Sequence, residues 1–317
     1  MSDETLERLI RQHIRAQEVP EVGFVWQGGE PTLLGLDFFR RVTALQEQYR
    51  RPGVQVTNAL VTNGTRLDET WCTWLSAHGF LVGLSLDGPA RVHDPARGGS
   101  HAAALRALTL LRRHGVAFNV LCVVSAANVD RPRALYEWFT ARGVEWLQFI
   151  PLVEPGGGGA SVGADAWGRF LVEVFDTWAR HDVGRVHVQT FDETYRAVVG
   201  AGPRLCSAAR TCGAAIVVEH DGTVYSCDHY VSPAYRLGDI AQTPLAQLVD
   251  GPVQRDFGAA KCGELSERCR ACDVLAWCWG ECPRNRFLPG RDNWLCDGLR
   301  RFYRHAVPAL RQLAVTG

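Results

Sequence analysis

Helical and strand patterns alternate through the first half of the sequence, and this alternation restricts the fold more than any other feature. From Asp3 to about Val153, amphipathic stretches with apolar residues at helical spacing are separated by short runs rich in β-branched residues. Strands that alternate with helices of this length form parallel β/α units, because each helix returns the chain to the start of the next strand. The sequence therefore predicts an α/β fold, most simply a β/α barrel or partial barrel.

Turn residues and capping signals set the limits of the predicted elements. Asp3 is predicted to cap a first helix in which Leu6, Ile10 and Ile14 recur at helical spacing. The predicted strands are 22–26, 54–62, 81–86, 117–124 and 146–151. The predicted helices after the first are 36–49, 68–78, 101–114, 131–142 and 165–181. Each predicted strand therefore ends in a loop that leads into a helix.

Three of these loops carry glycine and polar residues. They are Gln-Gly-Gly-Glu-Pro at 27–31, Thr-Asn-Gly-Thr at 62–65 and Ser-Leu-Asp-Gly-Pro at 85–89. In β/α barrels the active site is built from the loops after the carboxyl ends of the strands. Gly, Asn and Asp are also ordinary turn formers, which explains any one of these loops equally well. Three such loops in phase, with Glu30 between Gly and Pro, favour an active site at this rim.

Composition and charge exclude several classes of protein. The 317 residues include 34 basic and 34 acidic side chains, and the net charge of +0 argues against a nucleic-acid coat or a membrane-surface binder. The chain opens without a basic and apolar leader, and no window approaches the roughly 20 apolar residues of a bilayer span. We therefore expect a soluble, cytoplasmic protein. Lys261 is the only lysine, which we attribute to a compositional bias of the genome.

Nine of the 11 cysteines lie between Cys206 and Cys296, where the chain changes character after about Val186. Cytoplasmic thiols stay reduced, so these cysteines indicate metal binding or redox chemistry rather than disulfides. An Asp-Gly pair between two β-prone runs predicts a hairpin at 217–227. The segments beyond it are short and show little periodicity. We expect them to contribute little to the core and to be organised by metal sites.

Eight of the cysteines have the number and spacing of two four-thiol sites. They are Cys206, Cys212, Cys227, Cys269, Cys272, Cys278, Cys282 and Cys296. Four thiolates bind one iron–sulfur cluster or one structural zinc ion. Zinc ribbons use two close Cys-x-x-Cys pairs, whereas this chain has one, at Cys269 and Cys272, so iron–sulfur is favoured and zinc remains the alternative. Cys72 and Cys122 are expected to be buried structural residues, and Cys262 has no expected partner.

These features together resemble the anaerobic sulfatase-maturating enzymes, which are radical S-adenosylmethionine proteins with a C-terminal SPASM domain. The resemblance rests on the loops at 27–33, 62–65 and 85–89, on His93 and Arg97, and on the eight-cysteine tail with its Cys227-Asp228 pair. It extends from about residue 2 to residue 310. It implies a radical S-adenosylmethionine partial β/α barrel at 1–185 and a SPASM domain at 186–317.

The resemblance also implies cofactors and the residues that bind them. Two auxiliary [4Fe–4S] clusters would be held by interleaved ligands: a first set of Cys206, Cys212, Cys227 and Cys282, and a second set of Cys269, Cys272, Cys278 and Cys296. S-adenosylmethionine would be bound by Gly28, Gly29, Glu30, Ser85, Arg97 and Val153. The carboxylate of Glu30 suits this task because it can accept hydrogen bonds from the ammonium group of the cofactor.

The implied reaction oxidises a Cys or Ser residue of an unfolded or nascent sulfatase to Cα-formylglycine. Gln27 is expected to contact the substrate peptide. Asp228 is expected to be the general base, while a 5′-deoxyadenosyl radical takes a β-hydrogen and the auxiliary clusters carry away the second electron. Without the resemblance, Asp228 has a simpler explanation as the cap of a turn after the hairpin. A reducing electron-transfer protein is the expected partner, and no nucleic acid or membrane is expected.

One motif of the family is absent from this sequence. The family carries Cys-x-x-x-Cys-x-x-Cys after its first strand, and those thiolates bind the cluster that cleaves S-adenosylmethionine. Cys72 and Cys122, which are separated by 49 residues, cannot replace it. We expect that the protein begins upstream of Met1, or that the chain is a remnant, and the first is favoured because the cofactor loops and Asp228 remain. As written, the chain lacks the first barrel strand and is expected to be inactive, with an exposed sheet edge.

Two other functions fit parts of the sequence. A related SPASM enzyme would modify a different peptide, for example by forming thioether crosslinks. A non-catalytic module would hold zinc or clusters and dock a partner. Gln27, Asp228 and the cysteine spacing favour the maturase over the related SPASM enzyme, whereas analysis of iron and acid-labile sulfide would separate the maturase from the non-catalytic module.

Overall fold

Six parallel strands form the larger of two sheets in the computed structural model, which describes residues 1–316. They are β1 (Glu21–Trp26), β2 (Gln55–Thr62), β3 (Leu81–Ser85), β4 (Phe118–Val124), β5 (Trp146–Pro151) and β6 (His187–Val188). The strands lie side by side in chain order, so β1 and β6 are the two edges of an open sheet. This confirms the predicted parallel β/α architecture, and all the carboxyl ends of the strands face one rim.

Eight α-helices precede, connect or follow these strands. They are α1 (Asp3–Ala16), α2 (Leu36–Tyr49), α3 (Glu69–Ala77), α4 (Ala90–Ala96), α5 (His101–Arg113), α6 (Pro132–Thr140), α7 (Ala164–His181) and α8 (Gln189–Val198). The predicted helices all form, with limits that differ from the predicted ones by at most two residues. Within the described residues, no helix combines the length and apolarity that crossing a membrane requires.

The first helix begins one residue earlier than predicted. Ser2, not Asp3, caps α1, because its hydroxyl oxygen accepts the backbone N–H of Thr5 at 3.1 Å. Asp3 occupies the first turn, where a carboxylate is favourable beside the positive end of the helix dipole. The prediction that Asp3 caps the helix was therefore wrong by one position.

Up to residue 316, the cysteine-rich part of the chain contains a small antiparallel sheet and five α-helices. The strands are β7 (Val217–Val218), β8 (Thr223–Tyr225) and β9 (Arg236–Asp239). The helices are α9 (Leu245–Val249), α10 (Pro252–Gly263), α11 (Glu267–Arg270), α12 (Leu275–Cys278) and α13 (Cys296–Thr316). The predicted hairpin is present: Val217 pairs with Tyr225, and Gly222 in the turn has a φ of 95° that favours glycine.

The last helix contributes to the main core, contrary to the expectation that the cysteine-rich segments add little to it. Along α13 the buried residues are Leu299, Phe302, Tyr303, Ala306, Val307 and Leu310. Their spacing of three and four residues gives one apolar face, which packs against α7 and α8. The helix begins at the last cysteine, Cys296, and its apolar face belongs to the main hydrophobic core.

Helix α1 fixes the position of the small sheet relative to the larger one. The side chain of Gln12 donates to the carbonyl of Ile240 at 2.9 Å and accepts the N–H of Leu245 at 2.7 Å. Leu9 on the same helix packs against the small apolar cluster that contains Val224. The hairpin that carries Cys227 and its neighbours is therefore anchored to the element that precedes β1.

Candidate active site and cluster-binding cysteines

The loop after β1 is tied to the loop after β2 by the carboxylate of Glu30. Its Oε1 accepts the hydroxyl of Thr62 at 2.7 Å and the N–H of Thr32 at 3.1 Å. Its Oε2 accepts the N–H of Asn63 at 2.8 Å. A carboxylate oxygen has two lone pairs, so Oε2 can accept a further donor from a ligand.

Two glycines beside Glu30 leave the backbone open on one side. Gly28 and Gly29 have φ values of 99° and 56°, a region that favours glycine. A Cβ atom built at either residue would meet no atom within 4 Å. The peptide backbone of this loop is therefore accessible to a ligand that lies against it.

At the end of β3, Arg97 is held by a buried carboxylate. Its Nε and Nη2 donate to the two oxygens of Asp87 at 2.5 and 3.0 Å, and Asp87 is 3 % exposed. Asp87 also accepts the N–H of Val123 at 2.9 Å. Such a two-point pair fixes the plane of the guanidinium. Sequence reasoning placed Arg97 at the cofactor but treated Asp87 only as part of a turn.

His93 supports the same turn as a neutral side chain. It is fully buried, and its Nδ1 accepts the backbone N–H of Asp87 at 3.2 Å. Burial lowers the pKa of His93, which agrees with an unprotonated Nδ1. Its Nε2 lies 3.0 Å from the hydroxyl of Ser100.

All six residues predicted to bind the cofactor lie at this rim. Ser85 is the last residue of β3, and Val153 lies two residues after β5; both are half-buried. Gly28, Gly29 and Glu30 follow β1, and Arg97 reaches the rim through its pair with Asp87.

Gln27 and Asp228, which are 201 residues apart in the chain, meet across the gap between the rim and the hairpin. The amide Nε2 of Gln27 donates to Oδ2 of Asp228 at 3.4 Å, and both residues are exposed. The short turn that begins at Asp228 is capped by Cys227, whose Sγ accepts the N–H of His229. The explanation of Asp228 as a turn cap therefore fails. Its other oxygen accepts the thiol of Cys227 at 3.2 Å.

The structure brings together thiols that the resemblance assigns to the same set. The thiols of the second set line one small cavity together with Asn293, Leu299 and Arg300. Within the first set, Sγ of Cys227 accepts the N–H of His229 at 3.5 Å, and Sγ of Cys282 lies 3.5 Å from Nδ1 of the same histidine. Burial raises the pKa of Cys227, Cys278 and Cys282 to about 12.

The arrangement of these thiols bears on the kind of metal site they can form. Over residues 1–316, no three His, Cys, Asp or Glu side chains converge closely enough to hold a single metal ion. The four thiols of the second set instead line one cavity. This suits a four-iron cluster, in which each iron atom takes its own thiolate.

The other three cysteines lie outside both groups. Cys72 in α3 and Cys122 in β4 are fully buried, as predicted, and burial raises the pKa of Cys72 to about 11. Cys262 in α10 is half-buried.

Two buried cations near the thiols were not predicted from the sequence. Lys261 is 1 % exposed and Arg286 is 7 % exposed. Both donate hydrogen bonds to backbone carbonyls of the cysteine-bearing loops. The sequence does contain an indication of a role for Lys261, because it is the only lysine of the chain and it lies among the cysteines.

Two family models match the chain. The radical SAM superfamily model matches residues 1–139, and the SPASM iron–sulfur cluster-binding domain model matches residues 206–273. These matches fall on the parallel β/α units and on the segment that carries most of the clustered cysteines.

Curated relatives and solved structures match over nearly the whole chain. The serine-type anaerobic sulfatase-maturating enzyme of Bacteroides thetaiotaomicron is 37 % identical, over 97 % of this chain and 81 % of the relative. The cysteine-type enzyme of Clostridium perfringens is 32 % identical, over 99 % of this chain and 89 % of the relative. A structure of native anSMEcpe with bound AdoMet and Kp18Cys peptide has a TM-score of 0.92 at 32 % identity, covering 100 % of this chain and 91 % of that chain.

Proposed function

Because the chain belongs to the anaerobic sulfatase-maturating enzymes, a family of radical S-adenosylmethionine oxidoreductases, we propose that it oxidises a Cys or Ser residue of a sulfatase to Cα-formylglycine. The observation that carries the proposal is the 3.4 Å contact between Gln27 and Asp228. It brings the rim of the parallel sheet and the cysteine-rich hairpin to one exposed point, where a peptide can reach both.

The chain divides into two functional parts in this proposal. Residues 1–185 form the radical S-adenosylmethionine domain, and residues 186–317 form the SPASM domain. The two family matches, at 1–139 and 206–273, fall on opposite sides of this boundary. Strand β6 and helix α13 come from the second part but pack with the first, so the two parts share one core.

The rim residues bind S-adenosylmethionine through its methionyl end. Gly28 and Gly29 leave their backbone open, and Oε2 of Glu30 accepts a hydrogen bond from the ammonium group. Arg97 keeps its Nη1 hydrogens for the ligand, because Asp87 occupies Nε and Nη2. Ser85 and Val153 complete the pocket. When bound, S-adenosylmethionine supplies the radical that takes a hydrogen atom, and the [4Fe–4S] clusters supply acceptors for an electron.

Asp228 removes the proton of the substrate side chain in this proposal, and Gln27 positions the peptide beside it. Asp228 takes the proton of the substrate side chain, while bound S-adenosylmethionine would supply the radical for one β-hydrogen atom and a bound cluster would supply the acceptor for one electron. Loss of the proton, the hydrogen atom and the electron converts a Ser side chain to the aldehyde. A Cys side chain becomes a thioaldehyde, which water converts to the aldehyde with release of hydrogen sulfide. Asp228 directly follows the cluster ligand Cys227, so the proton and the electron leave close together.

The eight grouped cysteines bind two auxiliary [4Fe–4S] clusters, four to each. The cavity lined by the second set and the shared contact of Cys227 and Cys282 with His229 support this assignment. A reducing electron-transfer protein supplies electrons to the system. The substrate is a nascent or unfolded sulfatase segment, and the reaction takes place in the cytoplasm, where the thiols stay reduced.

The proposal is tested with Asp228→Asn in a chain extended at its N-terminus by a Cys-x-x-x-Cys-x-x-Cys segment. We expect 5′-deoxyadenosine to form as before, while formylglycine formation falls at least about 100-fold, since general bases contribute roughly 10²–10⁴ in rate. Products of Cys- and Ser-containing sulfatase peptides are identified by mass spectrometry.

The matched control is Asp221→Asn, an exposed residue of the same hairpin whose Oδ1 accepts the N–H of Thr223. An asparagine keeps this acceptor, so formylglycine formation should be unchanged. Normal product from Asp228→Asn would remove Asp228 from the mechanism. A thioether crosslink in place of formylglycine would overturn the assigned reaction.

A further inference from the structure

Helix α10 carries none of the eight proposed ligands, yet one of its faces contacts the loops that carry three of them. This α10 face consists of Gln254, Gly258 and Lys261, which recur at helical spacing and are all buried. It packs against the 206–213 loop and the end of the hairpin.

Gln254 and Gly258 hold the backbone around two ligands of the first set. The amide of Gln254 donates to the carbonyls of Gly213 at 2.7 Å and Ser226 at 3.1 Å, and each of these residues is adjacent to a ligand. The carbonyl of Gly258 accepts the N–H of Cys212 at 3.3 Å. A Cβ atom at Gly258 would lie 2.5 Å from the carbonyl oxygen of Cys212, so only glycine allows this approach.

Lys261 holds the third ligand. Its ammonium donates to the carbonyls of Cys206, Ser207 and Ala209, the last two at 2.8 and 2.5 Å. An ammonium has three donors, and here each has a carbonyl acceptor. The loop is thus wrapped around one buried positive charge.

Arg286 connects this face to the fourth ligand. Its Nη1 donates to the carbonyl of Lys261 at 2.6 Å, and its Nη2 donates to the carbonyl of Glu281 at 3.2 Å, directly before Cys282. All four ligands of the first set are therefore held, directly or through Arg286, by the α10 face.

The charge of Lys261 needs compensation that the carbonyls do not supply. A buried cation is costly unless negative charge lies near it, and its three acceptors are neutral. The ionisable groups that act on Lys261 are Glu281, then Cys206 of the first set, Arg286 and Cys212 of the first set. A cluster bound by four thiolates has a net negative charge, and one more electron increases that negative charge. A fixed cation beside it favours the reduced form.

We propose that the α10 face is the platform that positions the first cluster, and that Lys261 raises the reduction potential of that cluster. This inference rests on the proposed ligand sets. It makes Gln254, Gly258 and Lys261 positioning residues, since none of them is a ligand.

The geometric part is tested by Gly258→Ala, with Gly263→Ala on the same helix as the control. A Cβ at Gly263 would meet no atom within 4 Å. We expect iron in the Gly258→Ala chain to fall from about eight to about four per chain, with the second cluster retained, whereas Gly263→Ala keeps about eight. Retention of the second cluster shows that the variant has folded.

The charge is tested by Lys261→Gln, which keeps hydrogen-bond donors but removes the cation. We expect the reduction potential of the first cluster to become more negative while that of the second is unchanged, as followed by a redox titration monitored by electron paramagnetic resonance. Unchanged potentials, or equal shifts of both clusters, would overturn the role of Lys261.

The proposed ligand sets and the α10 platform can be disproved separately. If the unmodified chain does not bind about eight irons, the proposed ligand sets are wrong. If it does, and Gly258→Ala binds as many, the ligand sets stand and the platform is wrong.

Discussion

Arg97 is held at the rim by a buried carboxylate, and that pair determines how well Arg97 can hold a ligand. The guanidinium itself is about a quarter exposed, while Asp87 is almost fully buried and also bonds the backbone of β4. A charge-assisted hydrogen bond of this kind contributes about 1.5–3 kcal/mol. Asp87 therefore orders Arg97 before any ligand arrives.

Asp87→Asn is expected to weaken the binding of S-adenosylmethionine on the order of tenfold in the extended chain, because the neutral amide holds Arg97 less firmly. Calorimetric titration measures the affinity. Asp37→Asn is the control: its pair with Arg40 on α2 is exposed and contributes little. An unchanged affinity for Asp87→Asn would contradict a role of Arg97 in the pocket.

At the scale of elements, helices α7 and α13 cross at a pair of glycines. A Cβ atom at Gly298 would lie 2.0 Å from the carbonyl oxygen of Ala164, and one at Gly168 would lie 2.6 Å from the Cα atom of Gly298. The helices can approach this closely only because both positions lack side chains. Cys296 begins α13, so the crossing also places a ligand of the second set.

Gly298→Ala is expected to lower the free energy of unfolding by roughly 1–3 kcal/mol or more, since overpacking forces the helices apart. Chemical denaturation of the cluster-free chain gives this value without the contribution of metal. Gly263→Ala on α10 should leave it nearly unchanged. Equal stability of both variants would mean that the crossing is looser than the structure shows.

Local patterns predicted most elements of the β/α part but not the helices of the tail. Strand β5 has the predicted limits, and so does α2. Strand β6 has two residues, too few for a periodic signal, and α4 contains Pro95, which argues against a helix. The sequence contains the apolar spacing of α13, but the cysteines before it also fit metal sites, and these were predicted in place of a core helix.

At the scale of the whole molecule, the site depends on contacts that no local pattern contains. The rim loops and the eight thiols could be predicted, because each has its own sequence signature. The contact of Gln27 with Asp228 could not, since it depends on α1, where Gln12 bonds the segment between β9 and α9. The platform on α10 was also missed, because its contacts are made through backbone carbonyls.

Counting iron and acid-labile sulfide in the anaerobically prepared chain tests most directly whether the cysteine-rich half is built around two four-iron clusters. The grouping of the thiols predicts about eight irons and about eight sulfides per chain. Zinc bound without sulfide would contradict it.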